Sequence, residues 1–204
     1  MLEVYMKRFV LAILVVILLS AVPVFARTSY YLTGDTIFSI RAGINFPTFL
    51  AFFRDPQMGT RTFEDTHLSI GGDASLAYQG FLNESFALGG QIQYVFNYSV
   101  GGKILTTVPL TAKLTYMPVQ TGSFDLGISL NLGGAFIRYN EGKDFVPFAS
   151  VSINPSYYFS DNWGLGVESG MMVTLENYGK NNEKHNQSAF AAFIPVTLVL
   201  SYRH

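Results

Sequence analysis

Apolar and small polar residues alternate along eight segments of the chain. Within residues 38–46, apolar side chains at even positions alternate with Ser, Arg, Gly and Asn at odd positions. A period of two places successive side chains on opposite faces of a β-strand. The pattern therefore predicts eight strands, at about residues 38–46, 67–80, 88–98, 107–116, 126–136, 150–157, 165–174 and from 194 to the end of the sequence.

A short phrase recurs three times between these strands. It places an aromatic residue at Phe86, Phe124 and Trp163, spaced 38 and 39 residues apart, and a polar turn precedes it each time. A fixed period of this length indicates one supersecondary unit that is used repeatedly. Two strands, one short turn and one longer loop fit within the unit, so the repeat predicts a train of β-hairpins.

The predicted connections alternate in length. Those after the second, fourth and sixth strands are short, and those after the first and seventh strands are long. Outer-membrane barrels have short periplasmic turns and longer outside loops, so both termini are expected in the periplasm. Aromatic residues gather near the short turns, as in an interfacial girdle: Phe81, Phe86, Tyr116, Phe124, Phe159, Trp163 and Tyr202.

The composition favours a membrane barrel over a soluble one. Charged residues make up 13% of the chain, against about 25% in a typical soluble domain. The polar strand faces carry mainly small side chains, which suit a narrow lumen and make a poor solvated surface. No apolar run after residue 26 reaches the ~18 residues of a spanning helix. We therefore predict an all-β fold, an eight-stranded antiparallel up-and-down transmembrane β-barrel; a secreted soluble barrel or sandwich is the alternative.

Residues 1–26 have the pattern of a secretory signal peptide. A Lys-Arg pair precedes an apolar run at 9–22, and Pro23 then leads to a small residue, Ala26. This order is typical of a segment that is cleaved after Ala26, which leaves 27–204 as the barrel domain; an uncleaved membrane anchor is the alternative. The chain has no Cys, so neither a disulfide nor a lipidated cysteine is expected. Its net charge of −1, without charge blocks, does not suggest nucleic-acid binding.

Four charged residues lie on the predicted polar faces near strand centres: Arg41, Asp73, Lys113 and Glu168. An eight-stranded barrel has just enough interior space for side chains, and an unpaired buried charge is costly. We expect these two cations and two anions to form one internal charge network. The network either plugs and stiffens the lumen, which we favour, or forms a gated ion path.

A large apolar stretch follows the first predicted strand, near an outer loop. It either lengthens the barrel wall or lines an entrance for a hydrophobic solute, and its members are Phe46, Phe49, Leu50, Phe52 and Phe53. The polar loops at about 54–65 and 176–187 are candidates for binding an extracellular ligand. We predict a non-enzymatic, surface-exposed structural barrel with a filled lumen, and no cofactor or metal site.

The last strand resembles the terminal assembly signal of Gram-negative-type outer-membrane proteins. Apolar residues alternate there toward the C-terminus, at Val196, Leu198, Leu200 and Tyr202. The family signal usually ends in Phe, whereas Tyr202 is followed by Arg203 and His204. Residues 27–204 as a whole resemble the small eight-stranded class that includes OmpX, OmpW and the OmpA barrel domain.

This resemblance implies insertion into the bacterial outer membrane by the barrel-assembly machinery, escort by periplasmic chaperones, and contact with outer-membrane lipid. The likeness to OmpW implies a narrow channel for small or hydrophobic solutes as an alternative function. His67-Leu68-Ser69 resembles the His-x-Ser pair of outer-membrane lipid A deacylases, which act as base and nucleophile beside an acid. No matching Glu or Asp is evident, so a lipid-modifying enzyme is the least favoured reading.

Overall fold

The computed structural model describes residues 30–54, 59–62, 67–99, 102–139, 142–177 and 188–204. The predicted signal peptide, 1–26, and parts of the two predicted ligand-binding loops lie outside these residues. Within the described ranges, no helix combines the length and apolar character needed to cross a bilayer.

The described part of the chain consists almost entirely of nine β-strands. Eight are long, with 11 to 17 residues each, and one, β2, has only three. A transmembrane strand needs about 9–11 residues, so each long strand can cross a bilayer. The strands are β1 (Thr36–Phe52), β2 (Thr60–Thr62), β3 (Gly71–Phe81), β4 (Phe86–Tyr98), β5 (Ile104–Gln120), β6 (Phe124–Tyr139), β7 (Gly142–Tyr158), β8 (Trp163–Glu176) and β9 (Ala189–Arg203).

The eight long strands form a closed antiparallel barrel. From β3 to β9 each strand pairs with the next along the chain, and β1 pairs with both β3 and β9. Closure continues to the last residue, because Thr36 and His204 exchange backbone hydrogen bonds of 2.8 and 3.0 Å. The prediction of an eight-stranded up-and-down barrel is confirmed. The short strand β2 was not predicted, and it pairs with β1 at residues 49–51.

The two faces of the barrel differ as the alternation predicts. Large apolar side chains such as Leu110, Val151 and Leu198 point outward and are 45–63% exposed, whereas Ser, Thr, Asn and Gln dominate the buried inner positions. Among the described residues, charged side chains on the outer surface lie only near strand ends. An apolar exterior of this extent is suited to lipid and unsuited to water.

Strand β1 is longer than its sequence suggests. The alternating pattern predicts a first strand at 38–46, yet β1 continues through Pro47 to Phe52, and its register with β9 shifts between Pro47 and Phe49. A bulge of this kind accommodates a residue that has no N–H to donate. The stretch that was read as following the first strand therefore belongs mostly to the barrel wall.

The repeated phrase has a common hydrogen bond at each tight turn. Asn83, Thr121 and Ser160 each lie three residues before the aromatic residue of their phrase. Each side-chain oxygen accepts the backbone N–H of that aromatic residue, at 2.9, 2.8 and 3.0 Å respectively. Polar side chains of this type satisfy turn donors locally, so the turn chemistry fixes where the following strand begins.

Substitutions at two adjacent glycines, Gly89 and Gly90, can test how closely neighbouring strands pack. A Cβ added to Gly89 would overlap the carbonyl oxygen of Tyr78, whereas one added to Gly90 would have its nearest contact at 3.8 Å. We expect Gly89→Ala to lower stability by about 1–3 kcal/mol, because backbone atoms must shift. Gly90→Ala is the matched control. Thermal unfolding followed by heat-modifiable gel mobility measures both, and equal shifts would contradict this packing.

Candidate functional site in the barrel interior

The interior of the barrel is filled by three layers of side chains. A charge network lies at the centre, an aromatic lid covers the end with the short turns, and an apolar cluster occupies the end with the long loops. We call these ends the turn end and the loop end. A small polar cavity separates the network from the lid and is lined by Ser39, Thr115, Ser129, Asn154 and Ser156, among others.

Glu168 is the centre of the charge network. Its Oε2 atom lies 3.3 Å from Arg41 Nε and 3.3 Å from Lys113 Nζ. The Gln91 side-chain oxygen accepts from the same two cations, at 2.6 Å from Arg41 and 3.4 Å from Lys113. Arg41 and Lys113 are 4% and 2% exposed. One carboxylate therefore forms ion pairs with two buried cations that come from different strands.

Among the described residues, the hydrogen bonds that link Asp73 to the network run through amide side chains. Its Oδ2 atom accepts from Gln93 Nε2 at 2.6 Å, and the Gln93 oxygen accepts from Gln91 Nε2 at 3.2 Å. The structure thus brings Arg41, Lys113 and Glu168 into direct contact and places Asp73 at the end of a glutamine relay. Sequence patterning indicated that the four charges face inward, but not the two glutamines that connect them.

The aromatic lid is built around Tyr31, in the segment before β1. Tyr31 is 1% exposed, its ring stacks on Phe81 at 4.0 Å, and its hydroxyl donates to Asp125. Burial, with Tyr158 and Asp125 nearby, raises the pKa of the Tyr31 phenol. The phenol therefore stays protonated and remains a donor to the carboxylate.

Arg203 holds the lid from the last strand. Its guanidinium carbon lies 3.6 Å from the Tyr158 ring centre and 3.8 Å from that of Tyr30, and Nη1 is 3.5 Å from Asp125 Oδ2. Nε and Nη2 donate to the carbonyl oxygens of Asp161 and Gly122, both at 2.7 Å. These contacts close the turn end of the lumen and explain why Arg follows Tyr202 in this chain.

The lid was missed in the sequence, although a signal was present. Asp125 and Arg203 occupy odd positions of strands whose odd positions face inward; Asp125 follows a predicted tight turn, and Arg203 ends the last strand. The girdle prediction is wrong for Phe81, which is 3% exposed and points into the lumen. Phe81 lies at an odd position of β3, like Asp73 and Gln79, and the odd positions of this strand face inward.

The other six predicted girdle residues point outward at the turn end. Two pairs are in ring contact: Phe86 with Tyr116, and Trp163 with Tyr202, each at 5.0 Å. The remaining two, Phe124 and Phe159, are 40% and 62% exposed. A second set of outward aromatic residues lies near the loop end and was not predicted: Phe96, Tyr98, Phe136 and Phe145.

Apolar side chains fill the loop end of the interior: Val95, Ala135, Ile137, Val146, Phe148, Met172 and Phe193. Several sit beside an outward apolar neighbour, as in Phe136-Ile137 and Met171-Met172. Two consecutive apolar residues interrupt the alternation of apolar and polar positions. These interruptions are the sequence signal that could have predicted the apolar cluster.

The predicted apolar entrance lies beside this cluster. The structure places Phe46, Phe49, Leu50 and Phe52 in β1 and Phe53 directly after it. Phe49 stacks on Phe190 at 5.8 Å, and Leu50 lies opposite Ala191, which packs against the cluster. The four residues in β1 therefore form part of the barrel wall.

The remaining predicted sites are the assembly signal on the last strand and the pair His67 and Ser69. Val196, Leu198, Leu200 and Tyr202 share the outer face of β9. His67 is exposed, with a φ of 54°, and the Ser69 hydroxyl donates to the Tyr98 carbonyl at 3.2 Å. Across the described residues, no three His, Asp or Glu side chains are grouped to hold a metal ion.

A protein-family model matches residues 21–202, which is most of the chain. The chain belongs to that family. It is 28% identical over 96 residues to an uncharacterized protein of Treponema pallidum (strain Nichols), covering 47% of this chain and 43% of that protein. It is 22% identical over 132 residues to an uncharacterized protein of Borreliella burgdorferi, covering 54% and 62%. The chain spans about half the length of the curated relatives that it matches.

The fold is also similar to solved outer-membrane barrels. Neisserial surface protein A has a TM-score of 0.52 at 12% identity, covering 83% of this chain and 97% of that one. OprG from Pseudomonas aeruginosa has a TM-score of 0.49 at 11% identity, covering 85% and 97%. The strand topology and the similarity to Neisserial surface protein A show that the chain has the fold of the small eight-stranded outer-membrane β-barrels, as the strand pattern predicted.

The central carboxylate provides a direct test of the network. Glu168→Gln leaves Arg41 and Lys113 buried without their counter-ion, so we expect the free energy of unfolding to fall by about 3–5 kcal/mol. Glu84→Gln makes the same chemical change at an exposed turn position and should leave stability unchanged. Urea unfolding in detergent or vesicles measures both variants. Equal midpoints would show that Glu168 is not a structural counter-ion.

The lid can be tested through the segment before β1. Tyr31→Ala removes the buried ring that stacks on Phe81, and we expect a loss of about 3 kcal/mol. Leu32→Ala is the control, because Leu32 is 62% exposed in the same segment. Protease sensitivity of the segment, measured with the barrel folded, should rise for Tyr31→Ala only. Equal sensitivity of the two variants would contradict the lid contacts.

Proposed function

We propose that this protein is a non-enzymatic integral protein of the bacterial outer membrane, with a lumen closed to solutes. The observation that carries the proposal is the bridge from Glu168 to both Arg41 and Lys113 at the centre of the interior. An eight-stranded barrel has little interior space. A three-residue charge cluster, together with the two glutamines beside it, occupies the level where a pore would have to pass.

Two further layers support closure. The Tyr31 lid covers the turn end, and the apolar cluster occupies the loop end. A hydrated ion that moved through the barrel would have to displace all three layers. In the proposed orientation, the short turns and both termini face the periplasm, and the long loops face outward, since outer-membrane barrels have this asymmetry.

The function then depends on the surfaces of the barrel rather than on its lumen. The outer surface contacts lipid, and the loops at about 54–65 and 176–187 are the proposed sites for an extracellular ligand. Assembly by the barrel-assembly machinery with periplasmic chaperones is proposed from the resemblance of Val196, Leu198, Leu200 and Tyr202 to the terminal assembly signal of outer-membrane proteins. The hydrogen bond from the Ser69 hydroxyl to the Tyr98 carbonyl weighs against a deacylase-like use of Ser69 as a nucleophile.

A narrow channel for small or hydrophobic solutes is the second candidate. The apolar cluster at the loop end favours it, because apolar side chains could accept an apolar solute after repacking. Any such path must still pass Glu168 and Tyr31. The two candidates therefore differ in whether the folded wild-type barrel conducts or transports.

Single-channel recording in planar bilayers separates these functions. We expect rare, small openings for the wild type, and more frequent openings for Glu168→Gln, because loss of the central bridge loosens the plug. Glu84→Gln is the matched control and should behave like the wild type. Liposome swelling with polar and apolar solutes gives a second readout. Steady conductance or rapid swelling with the wild type would replace the closed barrel with the channel.

A further inference from the structure

We propose that the outer face of the β6–β7 hairpin binds the phosphate of an anionic lipid in the leaflet at the loop end. Arg138 on β6 and Lys143 on β7 would hold the phosphate above the Phe136–Phe145 ring pair. The inference rests on the proposed membrane location. It adds a specific lipid-binding site to an outer surface that otherwise makes only non-specific contacts with lipid.

The first observation is a pair of like charges in direct opposition. Arg138 and Lys143 are cross-strand partners, and both side chains are exposed. Like charges directly opposite each other destabilise a strand pair. Neither side chain makes a hydrogen bond or ion pair within the described residues. A bound anion would remove this repulsion.

The second observation fixes the face on which the two cations lie. Ile137 points inward and belongs to the apolar cluster, so its neighbour Arg138 points outward, and Lys143 shares that face. Asp144 is the cross-strand partner of Ile137 and lies on the other side of the sheet. The cations therefore face the membrane side, where a headgroup is the available anion.

The third observation is an apolar platform directly below the cations. Phe136 and Phe145 are the next outward pair along the hairpin, and their ring centres are 4.8 Å apart. The Phe145 ring lies over Gly134, where an added Cβ would overlap it. The Phe145 ring therefore lies along the sheet, the Phe136 ring is inclined to it by 53°, and the two rings form an apolar surface. Acyl chains can pack on this surface while the phosphate reaches the two cations.

The depth of the pair fits a headgroup. Strand β6 starts with Phe124 of the turn-end girdle. At about 3.3 Å per residue and a tilt of about 40°, Phe136 lies roughly 30 Å above Phe124 along the membrane normal, and Arg138 roughly 35 Å. The hydrocarbon core is about 30 Å thick. The rings thus reach the hydrocarbon boundary, and the cations lie just beyond it, at the level of lipid phosphates.

A single engineered cysteine gives a local readout, because the chain has no native Cys. Thr106 is the cross-strand partner of Arg138, so Thr106→Cys carries a fluorophore beside the site. The labelled full-length protein is reconstituted in phosphatidylcholine vesicles. Quenching is then compared between nitroxide-labelled phosphatidylglycerol and nitroxide-labelled phosphatidylcholine at equal mole fractions. We expect stronger quenching by phosphatidylglycerol.

The variants decide whether the two cations cause this preference. Each cation near a membrane surface strengthens the binding of anionic lipid by about fivefold, so Arg138→Gln and Lys143→Gln should each lower the relative association of phosphatidylglycerol by about that factor. Arg138→Lys should retain most of it. Arg61→Gln removes an exposed cation from β2, across the barrel, and should have no effect.

The outcomes separate the lipid site from the membrane location. Barrels that insert and float with the vesicles but quench equally with both lipids would overturn the site and leave the proposed function intact. A preference that survives the Arg138→Gln/Lys143→Gln double variant would also overturn it. Protein that folds yet fails to float with any vesicle would instead contradict the membrane location.

Discussion

Pairing of β1 with β9 is the constraint on which the rest of this molecule depends. In a bilayer, each backbone N–H and C=O needs a partner within the protein, so a sheet with free edges cannot persist there. Closure removes both edges, and here it extends to the backbone pair of Thr36 and His204. Once eight strands have closed, the diameter is set, and the interior has room for side chains and little else.

That narrow interior explains the chemistry of the inner face. Glycine and small polar residues fit where strands approach closely, and the few long charged residues have to share partners. A single carboxylate, Glu168, forms ion pairs with Arg41 and Lys113, and Gln91 provides a further acceptor for both. Without these partners, each cation would carry a large desolvation penalty. The same restriction underlies the proposed closed lumen.

The sequence predicts the fold well because the fold depends on local patterns. Period-two alternation identified all eight long strands, and three polar residues that accept the N–H of an aromatic residue marked the tight turns. It also showed that Arg41, Asp73, Lys113 and Glu168 face inward. It could not show which of them meet, because the stagger between neighbouring strands is not visible in one sequence. The prediction for Phe81 was wrong because an aromatic residue near a turn suggested contact with lipid. Its spacing of two residues from Gln79 indicated the inner face instead.

The lid has a consequence for how the barrel comes apart. Arg203, Tyr158, Asp125 and Tyr31 come from β9, β7, β6 and the segment before β1, so they meet only after the two ends of the sheet have joined. Their contacts therefore cannot speed the early steps of assembly. Interactions that form after the transition state slow unfolding instead. Contacts made in that order would slow the opening of the seam between β1 and β9 without speeding its closure.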